Sequence, residues 1–595
     1  MQKDGERILL FVTIGLFIFI LFKGFSGQAT RSDVIVGTAD TEDATLILVD
    51  DNPQQNIVTI PPGLNVQIAP PFCQAPIAPG GISITAPGLY KLCGGTVNLP
   101  SPIRILADDV TLDCANTHLI GTPAQAFNGI EILGNRVTIT SCKLSNFKNA
   151  IYIDRKDETK IFNSELFNNI YGVYLDGGDP GNIYYPQFWY GKNFEFTNNN
   201  IHNNIEDGIY VKKTPAYWYS YSTAKIKNSN INNNKNGIHF VKSDQYTVIE
   251  YSTISQNNEN GIYLDEEPPI NPGTPGQGSA DVHIRFNTIS NNGQNGIKLR
   301  RSSVWGVYKN TISNNGQNNI YIWPAGYAFN VNSNNILNSI DGIHAEVPNI
   351  NYPNAPYHSD SASIDARCNN IKFHSNAGIN YYQVSQNPWG QVYLWMNRIE
   401  NNNNYGLYID YPTSTASPGT YNAVINYNEF KNNQNGVYAV SGGNRIFYHN
   451  NFIANVLHAY DVTNTIADQW DYTYWPGSGT HGNYWDNYVG TPDPSNLGHY
   501  YGPRIIPPSS PIPNQDNAPE INPVGIPLDP TINCQDQPPP AVCGDGVVNQ
   551  FWEQCDPPDM GVCLPGQICI PPGQPNECHC TSNFTIDPGQ ILGQP

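Results

Sequence analysis

Five residues in the middle of the chain carry groups that acid–base chemistry on a sugar polymer needs: Asp265, Lys298, Arg300, His344 and Glu346. β-Elimination from a uronic-acid polymer requires a base for the C5 proton and cations to hold the carboxylate, and Arg300 with Lys298 or His344 supplies those types. Hydrolysis instead requires two carboxyl groups flanking the bond, about 5–9.5 Å apart. Asp265 and Glu346 are three repeats apart, about 14 Å at ordinary strand spacing, which is too far unless the side chains converge. The same charges would also serve simply to solvate an exposed face. Tyr210, Tyr263, Tyr321 and Tyr408 recur at matching positions, Trp323 lies two residues after Tyr321, and Trp189 and Trp218 lie in long insertions between repeats. Aromatic faces suit the apolar faces of sugar rings. A tyrosine stripe can equally be a cross-strand ladder that stabilises a sheet, but tryptophan-rich insertions have no such explanation.

These residues are placed by a repeat. Asn-Asn, two to four residues, then Gly-Ile/Val-Tyr-apolar recurs in NNIEDGIYV (203–211), NNNKNGIHF (232–240), NNENGIYL (257–264) and NNQNGVYA (432–439). The residue before the apolar alternation serves as a marker: Gly129, Ala150, Gly172, Gly208, Gly237, Gly261, Gly296, Asn319, Gly342, Gly378, Gly406 and Gly436. The base spacing of about 21–24 residues is too short for helix-pair repeats and suits one coil of a parallel β-helix with three short strands. Each strand alternates apolar and polar residues, the sign of one buried face. Asparagine tolerates the left-handed backbone of tight turns, and stacked asparagines can bond along the axis.

The marker assigns faces. Positions one and three after it (Ile209/Val211, Ile262/Leu264, Ile297/Leu299, Leu407/Ile409) are expected inside. Positions two and four are expected outside, as two columns. The first runs Glu131, Tyr152, Tyr174, Tyr210, His239, Tyr263, Lys298, Tyr321, His344, Asn380, Tyr408 and Tyr438. The second contains Asp154, Asp176, Lys212, Val241, Asp265, Arg300, Trp323, Glu346, Tyr382 and Asp410. The long insertions follow position four and so would project from one edge and wall a groove.

From ISITAPGLYKLCGG onward, through GIEILGNRVTITSCKLSNF to GNYWDNY (482–488), the chain resembles the β-helix family of NosD-type periplasmic proteins and other carbohydrate-binding or sugar-hydrolase repeats. The resemblance implies an all-β fold, a single-stranded right-handed parallel β-helix of the pectate-lyase kind. That family mixes enzymes, binders and accessory proteins. It also raises copper, which prefers clustered soft ligands, whereas the 12 His and 3 Met are scattered. CGDGVVNQFWEQCD (543–556) resembles the CGDG…E-x-C-D repeats of bacterial surface proteins, with PPD where those carry an acidic Asp-Gly-Asn segment. No metal or other cofactor is expected; calcium has no evident ligand set.

The ends place the protein. Residues 1–30 read as a signal anchor with an apolar helix over 8–22, or alternatively as a cleaved signal, with Gly27 and Ala29 as small residues near a cut. Lys3 and Arg7 keep the N-terminus inside, so the protein is expected in the cell membrane as a single pass with its bulk extracellular or periplasmic. Residues 31–80 read as a linker and β cap, 81–465 as the solenoid, 466–506 as its C-terminal cap, 507–540 as a Pro-rich spacer and 541–595 as a Cys-rich module and tail. Cysteines suit an oxidising compartment. Disulfide candidates are Cys73, Cys93, Cys114, Cys142, Cys534, Cys543, Cys555, Cys563, Cys569, Cys578 and Cys580, with Cys368 standing alone. A formal net charge of -20 argues against nucleic acid. The expected partner is a polysaccharide or surface glycan, with lyase or hydrolase activity as an alternative and a structural stalk or adhesin as a second.

Overall fold

The computed structural model describes residues 82–488, apart from 155, 178–192, 215–222, 244–245, 266–281, 301–303, 305, 324–327, 348–362, 384–390, 411–422, 442–443, 463–467 and 472–481, and a few short segments outside that span. Among the described residues there is no helix; the elements are short strands. Three parallel sheets run the length of a solenoid. Sheet A starts at Ile82–Ile84 and ends at Leu457–Val462. Sheet B continues to Arg445–Tyr448, and sheet C runs from Thr96–Leu99 to Tyr484–Trp485. Each strand pairs in parallel with the strand three places further on, so one coil contributes one strand to each sheet.

The interior is built from matching side chains stacked coil on coil. In sheet C one inward column reads Leu166, Ile201, Ile231, Ile254, Ile289, Ile312, Ile336, Ile371 and Ile399. Those residues are essentially inaccessible to solvent. The column ends in aromatics: Phe430 stacks on Phe452 and Phe452 on Trp485, with ring centroids 5.2 and 4.3 Å apart. Beside them Trp470 stacks on Phe447 at 4.1 Å, and Arg445, wholly buried, is held by Asp468 at 2.7 Å.

Two turns explain the asparagines. Between sheets C and A the first Asn of each pair is left-handed, as at Asn203 (φ 56), Asn233 (φ 54) and Asn291 (φ 57). The second is buried and bonds to its equivalents. Asn204, Asn234, Asn257 and Asn292 each accept from the backbone N–H and side-chain amide of the preceding member and donate to a carbonyl of the preceding coil. A second ladder of this kind, Asn287 to Asn483, lines the B–C corner. In a dry interior each such amide satisfies groups that would otherwise be orphaned.

The glycine markers have a packing cause. A Cβ on Gly261 would lie 2.6 Å from the Gly296 carbonyl oxygen of the next coil. Asn319 departs from this, and its side chain accepts from Asn315 at 2.7 Å and donates to the Leu337 carbonyl at 2.8 Å. It thereby stands in for the ladder amide that the shorter Ser339 lacks on the following coil.

Three expectations are corrected. The helix over 8–22 is not what the described residues show: Leu10–Thr13 pairs antiparallel with Phe17–Ile20, and Val, Ile, Thr and Phe suit strands. Among the described residues no helix is long and apolar enough to cross a membrane. Cys368 does not stand alone; it is disulfide-bonded, as is Cys93. Cys114 bonds Cys142 across 28 residues. Val241, expected outside at position four, is covered. Of the other disulfide candidates, Cys569 and Cys580 lie opposite each other in a short antiparallel pair. Cys73, Cys534, Cys543, Cys555, Cys563 and Cys578 lie outside the described residues, so their pairing stays an expectation.

Candidate functional site

The twelve marker positions fall on twelve consecutive coils, and sheet A holds their strands in the register the repeat requires. Glu131, Tyr152, Tyr174, Tyr210, His239, Tyr263, Lys298, Tyr321, His344, Asn380, Tyr408 and Tyr438 are successive cross-strand partners. Tyr460 extends the column. Its residues between Tyr152 and Tyr460 are half-buried, whereas positions one and three are sealed inside. The second column is in register too, with Asp265 opposite Arg300, Arg300 opposite Trp323 and Tyr382 opposite Asp410. All the long insertions leave the solenoid where sheet A ends and sheet B begins. The B–C turn is a constant two residues from Thr138–Thr140 onward.

The aromatic column stacks in stretches, interrupted by Lys298 and Asn380 and by the near-perpendicular Tyr210–His239 pair. Tyr174 and Tyr210 lie 5.0 Å apart, His239 and Tyr263 4.5 Å, Tyr321 and His344 5.4 Å, Tyr438 and Tyr460 4.6 Å. Tyr263 has His239 against one face, and the Lys298 ammonium lies 5.0 Å from its ring centroid. Rings stacked along the axis offer their edges and polar tips outward. Of the expected sugar-facing aromatics, Tyr210, Tyr263, Tyr321 and Tyr408 belong to this stack, and Trp323 lies beside it, edge-on to Tyr321 at 6.5 Å. Trp189 and Trp218 lie outside the described residues.

The five charged candidates occupy a patch four coils long. Arg300 reaches Asp265 at 3.4 Å, and Asp265 also accepts from the Tyr263 hydroxyl at 3.0 Å. Glu346 accepts from the Tyr321 hydroxyl at 3.1 Å. Burial, then the neighbouring Glu346 charge, push the Tyr321 phenol up. Burial lowers the pKa of Lys298. His344 bonds through Nδ1 to the buried Asp341 at 2.8 Å. Burial alone would raise the Asp341 pKa, but hydrogen bonds from His344, Asn380 and Asn376 hold it below the usual carboxylate range.

Asp341 and a second carboxylate, Asp207, were not among the sequence candidates. Asp207 holds His239 Nδ1 at 2.9 Å and belongs to an amide row with Asn236, Asn260, Asn295 and Asn318. The signal was present: both aspartates stand just before a marker glycine, where other coils carry Asn. An Asp in an amide row can anchor an imidazole and fix which nitrogen carries the proton.

The family described as right handed beta helix region matches residues 107–248 and 217–389. The family described as periplasmic copper-binding protein (NosD) matches residues 351–490. With three parallel sheets in coil register, these matches define a right-handed parallel β-helix protein. The two family models together match residues 107–490. No curated protein matches it. Among solved structures, the periplasmic alginate epimerase AlgG is similar at 11% identity, covering 54% of this chain and 78% of its own, with TM-score 0.29. The Azotobacter vinelandii mannuronan C-5 epimerase AlgE4 A-module gives 13%, 64%, 87% and 0.29, and pectate lyase Pel9A 13%, 61%, 74% and 0.25. Likeness at this level says nothing about individual residues.

The copper in the NosD description finds no fitting ligand set among the described residues, where no group of three or more His, Cys, Asp or Glu could hold a metal. Within the matched span His374 is buried against Ser339 and the Ile336 carbonyl, and His458 is bonded to Asp486.

Proposed function

We propose that the outer face of sheet A binds an extended polysaccharide or surface glycan lengthwise, and that the N-terminal apolar segment holds the protein at a membrane with the solenoid outside the cytoplasm. The observation that carries this reading is the first outward column, in unbroken register from Glu131 to Tyr460, edged by every long insertion. A repeating ligand meets a repeating surface, with phenol, imidazole, ammonium, guanidinium and carboxylate tips at about 4.8 Å steps. The tips donate and accept, as sugar hydroxyls require. The insertions carry Trp189 and Trp218. A glycan array probed with the full chain tests this: retention of one or more polysaccharides is expected, and binding to none would leave a structural stalk.

A second reading, hydrolysis, is favoured by one observation. Glu346, Tyr382 and Asp410 are consecutive in the outer column. The two carboxyls are therefore two strand spacings apart, roughly 9–10 Å, at the wide limit for an inverting pair. Burial raises the Asp410 pKa, as a general acid requires. Release of reducing ends from a bound polysaccharide, abolished by Asp410→Asn, would establish it; a bound polymer that stays intact would exclude it.

A further inference from the structure

The chain does not leave the solenoid at the last coil; it turns back along it. Asp516 ends the B–C ladder, accepting the Asn483 N–H and the Trp485 indole N–H through Oδ2. Glu520 then lies beside Tyr484 at the edge of sheet C, its N–H on the Asn483 carbonyl. Four residues later Val524 has moved to Asn451, one strand before Tyr484. Asn451 holds it by both backbone groups: the Val524 N–H donates to Oδ1 at 2.7 Å, and Nδ2 donates to the Val524 carbonyl at 2.9 Å. Asn451 belongs to the outward column Asn370, Arg398, Glu429 and Asn451. Arg398 is exposed and Asn370 and Glu429 are half-buried, whereas Asn451 is buried under the returning chain. At Val524 the chain is therefore travelling towards earlier coils over the outer face of sheet C.

Cys368 lies ahead on that course. It is the turn residue two positions before Asn370, three strands before Asn451 and so about 14 Å back along the axis. It is disulfide-bonded, and its partner is none of the other described solenoid cysteines. Cys114 and Cys142 hold each other. Cys93 stands beside the first strand of sheet C, ten strands and about 48 Å away, where a disulfide needs Cα atoms within about 7 Å. Cys93 has Cys73 within reach, twenty residues earlier. That leaves the seven cysteines of the tail, an odd number that cannot close on itself. Cys534 comes first among them, ten residues after Val524. Ten residues span up to about 33 Å, and the nearest partner closes the shortest loop. Gly-Ile-Pro-Leu-Asp-Pro, before it, suits an extended course. Cys368 and Met396, at successive turns, are buried, whereas Tyr251 at the equivalent turn is exposed, as a segment lying over that corner would make them.

We propose that Cys368 is bonded to Cys534, so that residues 525–533 run back over the outer face of sheet C and the Cys-rich module is stapled to the side of the solenoid. The other six tail cysteines can then pair within the module, as the facing Cys569 and Cys580 would. The proline-rich stretch is then a strap, and not a spacer that holds the module away. Sheet C is covered along these coils by the chain's own tail. Sheet A, with every long insertion on its edge away from sheet C, is left open.

Peptide mapping of the full chain without reductant tests this. No Lys or Arg follows Arg504, so trypsin leaves the tail whole and releases Cys368 on residues 368–372. Cutting before aspartate then separates Cys534, on 529–535, from Cys543, on 536–544. The expected species is 368–372 joined to 529–535, lost on reduction, from a chain that runs as a monomer without reductant. Cys368 found free, joined to any other peptide, or holding two chains in a dimer that reductant dissolves overturns the proposal. The double variant Cys368→Ser/Cys534→Ser removes the staple and leaves the module's own pairs. Its Val524 amide is expected to exchange hydrogen about tenfold or more faster than in the parent, because Asn451 then holds a chain tethered on one side only. The Ser252 amide, held in the B–C ladder, serves as the unchanged reference. Equal exchange at Val524 in the two proteins overturns the claim that the bond keeps the tail on this face.

Discussion

His374 offers a quantitative test of how the ladders hold the coils. It occupies a ladder position that Asn402 fills on the next coil and Ser339 on the preceding one. Its backbone N–H donates to Asn402 Oδ1 at 3.1 Å, and its Nε2 lies 3.2 Å from the Ile336 carbonyl, where a ladder amide would donate. The ring is wholly buried, and burial pushes its pKa down from 6.5 to about 4. The unfolded chain therefore takes up this proton first as pH falls. The contribution is fully present above pH 6.5 and is lost as pH falls towards 4. A depression of about 2.5 units is worth ~3 kcal/mol in full, of which roughly 2.5 kcal/mol is lost between pH 7.5 and 4.5. His374→Asn supplies an amide to the same carbonyl and removes the titrating group. At pH 7.5 the variant should lie within about 1 kcal/mol of the parent, since it trades a small void for a ladder bond. At pH 4.5 it should be the more stable by about 2 kcal/mol. Urea unfolding at the two pH values measures both. If the two proteins lose stability in parallel, to within about 0.5 kcal/mol, the buried neutral imidazole is not what makes the parent acid-sensitive.

Other consequences follow from the packing. Asn287→Ala orphans the Ser252 N–H and the Ile249 carbonyl and should cost about 2–5 kcal/mol. Asn287→Ser should cost about 1 kcal/mol, because Ser229 and Ser252 already fill such positions by accepting from the chain and donating to a carbonyl. Hydrogen exchange at the Ser252 amide separates the two variants. Replacing Cys114 and Cys142 together by Ala should lower stability by about 2–4 kcal/mol, read by chemical denaturation without reductant. Arg445→Met leaves Asp468 buried without its cation, and a loss of about 3–5 kcal/mol is expected in the unfolding midpoint.

Much of this architecture could be read from the chain. The Asn-Asn…Gly-Ile-Tyr recurrence specifies coil length, the two-residue alternation specifies which side is buried, and small markers appear where adjacent coils touch. Those signals are local: a turn needs its left-handed residue and a half-buried strand its alternation, whatever lies elsewhere. They were enough to name the first outward column residue by residue, from Tyr152 to Tyr438, though not the second, where Val241 is covered. What folding alone decided is how neighbouring coils use one another. Asp207 serves His239, a residue of the next coil, and Asp341 serves His344 and Asn380 together. Asn319 departs from glycine because Ser339, one coil on, is too short. The stacking of His239 and Lys298 around Tyr263 turns an aromatic column from a row of open ring faces into a row of edges and tips. Apart from the Asp341–His344 contact, which is three residues along one strand, each of these depends on partners about twenty or more residues away or on competition for a shared neighbour, and spacing along the chain carries no record of which neighbour wins.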